Sequence, residues 1–365
     1  MNMNKRRILM ALSGGVDSAV AAALLKQAGH DVIGITMNVW PELPDEAVVR
    51  ADACCSLAAV DDARAVCDLL EIPFYVLNLK NVFAERVIDN FYDEYAKGRT
   101  PNPCVRCNQY IKFDALWPKA QALDCDAIAT GHYARVLFDA ASQRYVLARA
   151  IDVKKDQSYV LYSLDSTHLR RTLMPIGGHT KEEVRALARR FDLPVADKPE
   201  SQEICFVHAG AYHDYVARAR PDAMRPGLMV DQEGAVVGRH KGIGAYTIGQ
   251  RKGLGLARPE PTFVASIDPS RNLLVVGPER LLYAREVAAT DFVLTSAGSI
   301  EQGRRLQAKI RYRAASVDAV VTARDTTSIS VRFDEAQRAV TPGQALVLYD
   351  GDIVLGGGTI VSAAN

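Results

Sequence analysis

A short apolar run, Arg7-Ile8-Leu9-Met10-Ala11-Leu12, leads straight into Ser13-Gly14-Gly15-Val16-Asp17-Ser18 and then an alanine-rich stretch of helical character. Strand, glycine turn and helix in that order form an anion site. The glycines let the backbone turn tightly enough for neighbouring N–H groups to face one anion, and the hydroxyls of Ser13 and Ser18 add donors at the positive end of the helix. Such a cradle suits a phosphate or pyrophosphate and points to a pocket for ATP. It lacks the lysine of the G-x-x-x-x-G-K-[ST] loop, which removes the main support for a kinase or GTPase and implies a different ATP chemistry.

From residue 7 to about 136 the chain alternates short β-branched or apolar runs with helical periodicity. Strands are expected at 31–37, 73–79 and 127–130, and helices at 57–70, 82–95 and 111–122. This βαβ rhythm belongs to a doubly wound parallel sheet, an α/β fold, whose ligands sit beyond the carboxyl ends of the strands. The loop at 13–18, Met37 and the segment after Thr130 would all emerge there. Helices are expected again at 181–191 and 212–219. Beyond Pro226 helical signals fade, and short runs between Gly, Pro and Asp turns predict small antiparallel sheets followed by a closing β-barrel. The division expected is 1–215 for an ATP-binding catalytic domain, 216–284 for a central β-rich domain and 285–365 for the barrel, with Asp268-Pro269 and Gly277-Pro278 as candidate linkers.

At 365 residues two or three domains are expected. No apolar span is long enough for a membrane, and the run behind the basic start is broken at Ser13-Gly14-Gly15 and Asp17, so no export signal and a cytoplasmic location are expected. The net charge of +1 neither demands nor excludes nucleic acid.

Seven cysteines without regular spacing argue for thiols kept for chemistry or metal rather than a disulfide framework. Two prolines in Thr100-Pro101-Asn102-Pro103-Cys104-Val105-Arg106-Cys107 predict an extended approach ending at a helix start. There the helix dipole, Arg106 and Lys112 would favour the Cys107 thiolate. The Cys104/Cys107 pair alone fits a redox dithiol, half a zinc site or part of an iron–sulfur site; no second pair follows to close a zinc ribbon. Cys205 stands alone in a polar loop and reads as an exposed, mobile thiol. Cys54, Cys55, Cys67 and Cys125 read as small buried or half-buried hydrophobes.

The hexapeptide resembles the signature of the ATP pyrophosphatase (PP-loop) superfamily, whose members cleave ATP to AMP and pyrophosphate. The chain as a whole resembles the tRNA-specific 2-thiouridylases. The likeness rests on residues 13–18, Thr100-Pro101-Asn102-Pro103, Cys107-Asn108, Ile111-Lys112-Phe113, Thr130-Gly131-His132-Tyr133, Lys155-Asp156-Gln157-Ser158-Tyr159, Ile204-Cys205-Phe206, Gly249-Gln250-Arg251-Lys252-Gly253-Leu254-Gly255 and Pro342-Gly343-Gln344, in order along nearly the whole chain.

That resemblance implies ATP-dependent adenylation of the 2-oxygen of the wobble uridine, then displacement of AMP by sulfur. It places ATP, with Mg2+, against Ala11, Leu12, Ser13, Gly14, Gly15, Val16, Asp17, Ser18, Met37 and Gly131; Asp17 either positions the Mg2+ or orients the loop. It implies a persulfide on Cys205 with Cys107 as its partner, which receives a disulfide or releases hydrogen sulfide. It implies contacts with the tRNA anticodon arm through Asn102, Pro103, Cys104, His132, Lys155, Asp156, Gln157, Arg311, Tyr312 and Gln344. It also implies a sulfur-donor protein, either a cysteine desulfurase or a sulfur relay protein. One position departs from many relatives, where Asp stands three residues before the cysteine nucleophile; here it is Cys104. The substitution opens a second route, a [4Fe–4S] cluster held by Cys104, Cys107 and Cys205. The run from Arg304 to Arg313 alternates basic and apolar residues, so as a strand it would offer one face to phosphates. Two competing readings are another adenylating PP-loop enzyme acting on tRNA, which needs neither Cys107 nor Cys205, and a metal- or RNA-binding protein without catalysis, which would use the cysteines structurally and the β-barrel for RNA.

Overall fold

Successive residues of the first strand face opposite ways, and two layers of helix follow from that. In the computed structural model, which describes residues 5–40, 56–199, 205–206 and 212–364, strand β1 spans Arg7–Ala11. Its Ile8 and Met10 enter one core with Val20 of helix α1 (Val16–Gln27), Val66 of α2 (Leu57–Leu69) and Val184 of α3 (Lys181–Arg190). Leu9 and Ala11 enter another, with Phe83, Val87, Ile111 and Leu116 from helical segments on the opposite face. A strand covered on both sides reads as a continuous apolar run, which is what the sequence shows.

β1 lies at the centre of a five-stranded parallel sheet. Its neighbours are β2 (Asp31–Asn38), then β3 (Phe74–Asn78), on one side, and β4 (Ala127–Thr130), then β7 (Thr172–Leu173), on the other. The order reverses between β1 and β4, so the crevice at their carboxyl ends is the switch point where such sheets take ligands. Helix α1 is buried on nearly every side because it is wedged between the sheet and α3, and its alanines allow the close approach.

On the second face the helices are continuous but carry π-helical turns. Lys80–Phe83, Ala84–Asp89 and Asn90–Ala96 run together, and so do Pro103–Arg106 and Cys107–Asp114, the middle and last of these respectively being π-helical. This corrects the expected extended approach to Cys107. Pro103 occupies the first helical turn, and the Asn102 side chain caps it by accepting the Val105 N–H at 3.4 Å. Cys107 therefore sits a full turn inside the helix.

The hairpin of β5 (Ala134–Asp139) and β6 (Arg144–Arg149) leaves this sheet and joins the C-terminal one. That sheet contains a closed barrel of β12 (Tyr283–Leu294), β13 (Arg305–Lys309), β14 (Val317–Arg324), β15 (Ile329–Arg338), β16 (Ala345–Asp350) and β17 (Ile353–Ala364). Closure comes from β17 pairing back on β12. On β16, Leu346 and Leu348 fill the barrel, while Val347 and Tyr349 pack outward on Phe113, Tyr159 and Leu161 of the N-terminal part.

Three expectations are corrected here. The central sheet, β8 (Gly227–Val230), β9 (Val236–His240), β10 (Phe263–Asp268) and β11 (Leu273–Gly277), is mixed, since β11 lies parallel to β8. The long connection after β9 supplies the crossover that a parallel pair needs. Asp268-Pro269 is no linker but the turn between the antiparallel β10 and β11. The basic stripe also dissolves. Strand β13 ends at Lys309, itself buried, while Arg304 pairs with Asp350 at 2.9 Å and Arg305 pairs with Asp334. Among the described residues no helix is long and apolar enough to cross a membrane.

Candidate active site

The loop at 13–18 hangs between β1 and α1. The Ser13 N–H donates to the Ser18 Oγ at 3.1 Å, and the Ser18 hydroxyl donates back to the Gly15 carbonyl at 3.1 Å. These bonds close the loop on itself at the helix N-terminus. Gly14 has a φ of +68°, and a Cβ there would stand 2.3 Å from the Ala59 carbonyl of α2; only glycine fits. Gly131, at the end of β4, lies so close to α1 that a Cβ would meet the Ser18 nitrogen at 2.6 Å. Met37 is buried one residue before the end of β2. The loop, Met37 and Gly131 thus come to one end of the sheet, as expected.

Two lysines remote in sequence complete its surroundings. Lys181, at the start of α3 and almost fully buried, donates to the Asp17 Oδ1 at 2.7 Å, and the Tyr133 hydroxyl donates to the same oxygen at 2.8 Å. Asp17 thereby ties the loop to Lys181 and Tyr133. Lys198 donates to the Gly14 carbonyl at 2.9 Å and pairs with Asp62 of α2. Sequence reasoning missed both lysines, Asp62 and the role of Tyr133. The Thr180 capping box, with Thr180 and Glu183 bonding each other's backbone N–H, fixes where α3 begins and so where Lys181 points.

Cys107 and Cys205 are half-buried thiols packed on one apolar cluster, that of Phe83, Val87 and Ile111. Phe206, next to Cys205, meets Phe83 at 5.8 Å and Phe91 at 5.2 Å, and Phe83 meets Trp40 at 6.2 Å, two residues past the end of β2. The thiols are thus tied to the same end of the sheet as the phosphate loop. Cys104, one helical turn before Cys107, is exposed. Among the described residues no three His, Cys, Asp or Glu side chains gather as a metal-holding group, so the set proposed for an iron–sulfur cluster is not assembled. Cys67 and Cys125 are buried as expected, and burial pushes the Cys67 thiol up to about 12, far from reactivity. Cys54 and Cys55 lie outside the described residues.

The residues that the resemblance assigns to tRNA fall into two groups. Several turn inward. Asp156 is buried and accepts the Ala150 N–H, the Ser158 N–H and the Ser158 hydroxyl. Gln157 accepts the Tyr133 N–H at 2.9 Å. His132 is buried between the Thr130 hydroxyl at 2.8 Å and the Lys112 ammonium at 3.3 Å. Burial and the Lys112 charge hold its pKa well below the usual imidazole range, so it is neutral; Lys112 then donates to Nε2, and Nδ1–H donates to Thr130. Gln344 donates to the carbonyls of Thr100 and Pro101. Arg311 donates to the Ala339 carbonyl. Cys104 and Tyr312 are exposed, Lys155 and Asn102 are half-buried, and Pro103 is buried. A cleft of about 440 Å3 opens between the helices and the barrel, with Asn102, Arg106, Tyr110, Asp291 and Thr359 on its walls.

Comparison with known proteins agrees with this arrangement. Residues 6–209 match the family model described as the tRNA methyl transferase HUP domain, residues 213–278 its PRC-barrel domain, and residues 284–360 the aminomethyltransferase beta-barrel domain. The chain is 48% identical over 358 residues to the tRNA-specific 2-thiouridylase MnmA of Acetivibrio thermocellus, covering 98% of this chain and 100% of that one. It is 51% identical over 366 residues to the protein of the same name from Moorella thermoacetica, covering 98% and 100%. With that of Clostridioides difficile it shares 49% over 360 residues, covering 99% of each.

Proposed function

The chain belongs to the tRNA-specific 2-thiouridylase family, and from that premise we propose that it thiolates the 2-position of the wobble uridine of tRNA, using ATP. The uridine 2-oxygen attacks the α-phosphorus of ATP held at residues 13–18, and pyrophosphate leaves with the bonding electron pair. This converts a poor leaving oxygen into AMP. The outer sulfur of a Cys205 persulfide then attacks C2, and AMP departs. The Cys107 thiolate attacks the Cys205 sulfur, forming a disulfide and releasing the 2-thiouridine; an external thiol reductant resets the pair.

The observation that carries this reading is the common apolar seat of Cys107 and Cys205, tied through Phe206, Phe83 and Trp40 to the end of the sheet that bears the phosphate loop. A low-pKa persulfide needs little general-base help, which suits a seat lined by phenylalanines. Mg2+ would accompany ATP mostly through phosphate oxygens, with Asp17 the loop's carboxylate. No step is assigned to an iron–sulfur cluster, since among the described residues no three such side chains gather as a metal-holding group.

The target base must leave its stack to reach this pocket. On this reading Asn102, Pro103 and Cys104 line it, and exposed Tyr312 and half-buried Lys155 touch the anticodon arm. His132, Asp156, Gln157, Arg311 and Gln344 act by holding the loops that do so. A cysteine desulfurase or sulfur relay protein would load Cys205, in the cytoplasm. The three units proposed remain 1–215, 216–284 and 285–365, with the β5–β6 hairpin of the first built into the sheet of the third.

The test is single-turnover reaction of persulfide-loaded protein with unmodified tRNA and ATP, followed by nucleoside mass spectrometry. One 2-thiouridine per AMP and pyrophosphate is expected. ATP cleavage without thiolation would point instead to another adenylating enzyme.

A further inference from the structure

The phosphate loop contains no cation of its own, yet two ammonium groups are delivered to it from 164 and 184 residues further along the chain. They differ in what they can do. Lys181 is fixed: its side chain is 9% exposed, its charge is neutralised by Asp17 at 2.7 Å, and its Nζ lies 5.7 Å from the Tyr133 ring centroid. Lys198 sits at the rim, with a side chain 26% exposed, and its partner Asp62 is more open still at 38%. Its other contact is the Gly14 carbonyl at 2.9 Å, on the residue whose positive φ shapes the cradle.

From this geometry we propose that Lys198 is the pyrophosphate-binding cation of the site, parked on Asp62 and the Gly14 carbonyl until ATP arrives. The inference rests on the reading of the loop as the ATP site. A helix N-terminus presents roughly half a positive charge, too little for the several negative charges of a triphosphate. Lys181 adds little to it, because its side chain is 9% exposed and its charge is already balanced by Asp17. Lys198 can add to it, because an ammonium carries three donors and its two contacts leave it within reach of the loop. As the uridine 2-oxygen bonds to the α-phosphorus and the bond to the bridging oxygen breaks, negative charge grows on the departing pyrophosphate, and an ammonium placed there stabilises that change. In loops that carry their own lysine the cation comes from the loop; here it comes from the turn after α3, with α2 supplying the holding carboxylate.

The test compares ligands that differ only in what Lys198 would touch. Lys198→Met is expected to weaken binding of ATP and of inorganic pyrophosphate about tenfold or more while leaving AMP affinity unchanged, and to slow tRNA-stimulated pyrophosphate release about 100-fold. Lys198→Arg should recover most of both. Asp62→Asn, which removes only the parking partner, should change them by no more than a few-fold. Equal losses for ATP and AMP in Lys198→Met, or the same losses in Asp62→Asn, would overturn the proposal and leave Lys198 a clamp between loop and helix. If Lys198→Met does not fold, the unaltered protein gives a second readout: pyrophosphate, but not AMP, should shield Lys198 from amine acylation, scored by peptide mass spectrometry. Identical labelling with both ligands would also overturn it. Pyrophosphate release by the unaltered protein tests the adenylation reading separately, since the binding comparisons need no tRNA.

Discussion

Gln344 of the barrel donates its side-chain amide to the Thr100 carbonyl at 3.0 Å and to the Pro101 carbonyl at 3.1 Å. The Thr100 N–H answers by donating to the Pro342 carbonyl at 2.8 Å. Next to Gln344, Gly343 has a φ of +93°, and a Cβ there would meet the Thr100 carbonyl at 2.7 Å. The barrel thus holds the segment that feeds Asn102 and Pro103 into their helix.

Gln344→Ala is therefore expected to destabilise the protein by about 1–2 kcal/mol, the cost of stranding part-buried carbonyls. It should also raise the KM for tRNA more than that for ATP. Urea denaturation and steady-state kinetics check both; an unchanged midpoint would show that the tether is dispensable.

Cys205→Ser should abolish formation of 2-thiouridine while leaving pyrophosphate release within a few-fold of the original. Adenylation needs the loop and not the thiol. Persisting thiolation, read by nucleoside mass spectrometry, would refute the sulfur assignment.

Gly131→Ala tests the close approach of β4 to α1. The atoms an added Cβ would meet are the Ser18 N and Cα at 2.6 and 2.7 Å, which are backbone and cannot swing aside. A loss of about 1–3 kcal/mol in stability is expected, together with weakened ATP binding, measured by calorimetry.

Asp17→Asn leaves the Lys181 ammonium buried without its counter-charge. Breaking such a pair costs about 3–5 kcal/mol in fully buried cases, and the lower end applies because the Asp17 side chain is 29% exposed. A melting temperature within a degree of the original would show that Tyr133 and the remaining contacts suffice.

His168 supplies a pH signature. Its Nε2 lies 3.1 Å from the Asp114 carboxylate and its Nδ1 lies 2.8 Å from that of Asp165. The Asp114 hydrogen bond, with Asp165 adding and burial opposing, raises its pKa above the usual imidazole value. The protonated form is thus bound more tightly in the folded state. Its contribution is complete below the unfolded pKa, about 6.5, and is lost as pH rises through the raised folded value. The difference in melting temperature between the original protein and His168→Gln should accordingly be largest near pH ~5.5 and shrink toward pH ~9; a constant difference would argue against the charge.

Much of this molecule was legible in its residues because the signals are local. The alternation that puts Ile8 and Met10 on one side of β1, and Leu9 and Ala11 on the other, is a property of consecutive residues, as is the glycine turn after it. Other features misled for an equally local reason. Pro101 and Pro103 were expected to keep the chain extended, but a proline after a capping asparagine starts a helix, so Cys107 lies a turn deeper than the sequence suggested. The basic run at 304–313 was expected to face phosphates, and Asp334 of β15 and Asp350 of β16 neutralise two of its arginines. Nothing near those arginines in sequence announces the carboxylates.

By itself the sequence determined the parallel sheet, the anion loop at its switch point, the closing barrel and the family to which these belong, since each rests on short-range periodicity or on motifs in order. Only the tertiary structure decided what surrounds the loop. It seats Cys107 and Cys205 on one apolar cluster, leaves Cys104 exposed, and brings Lys181 to Asp17 and Lys198 to Gly14. Those contacts join residues more than ninety positions apart, and it is the packing of α2 and α3 against one sheet that sets which distant side chains meet, a quantity no local pattern encodes.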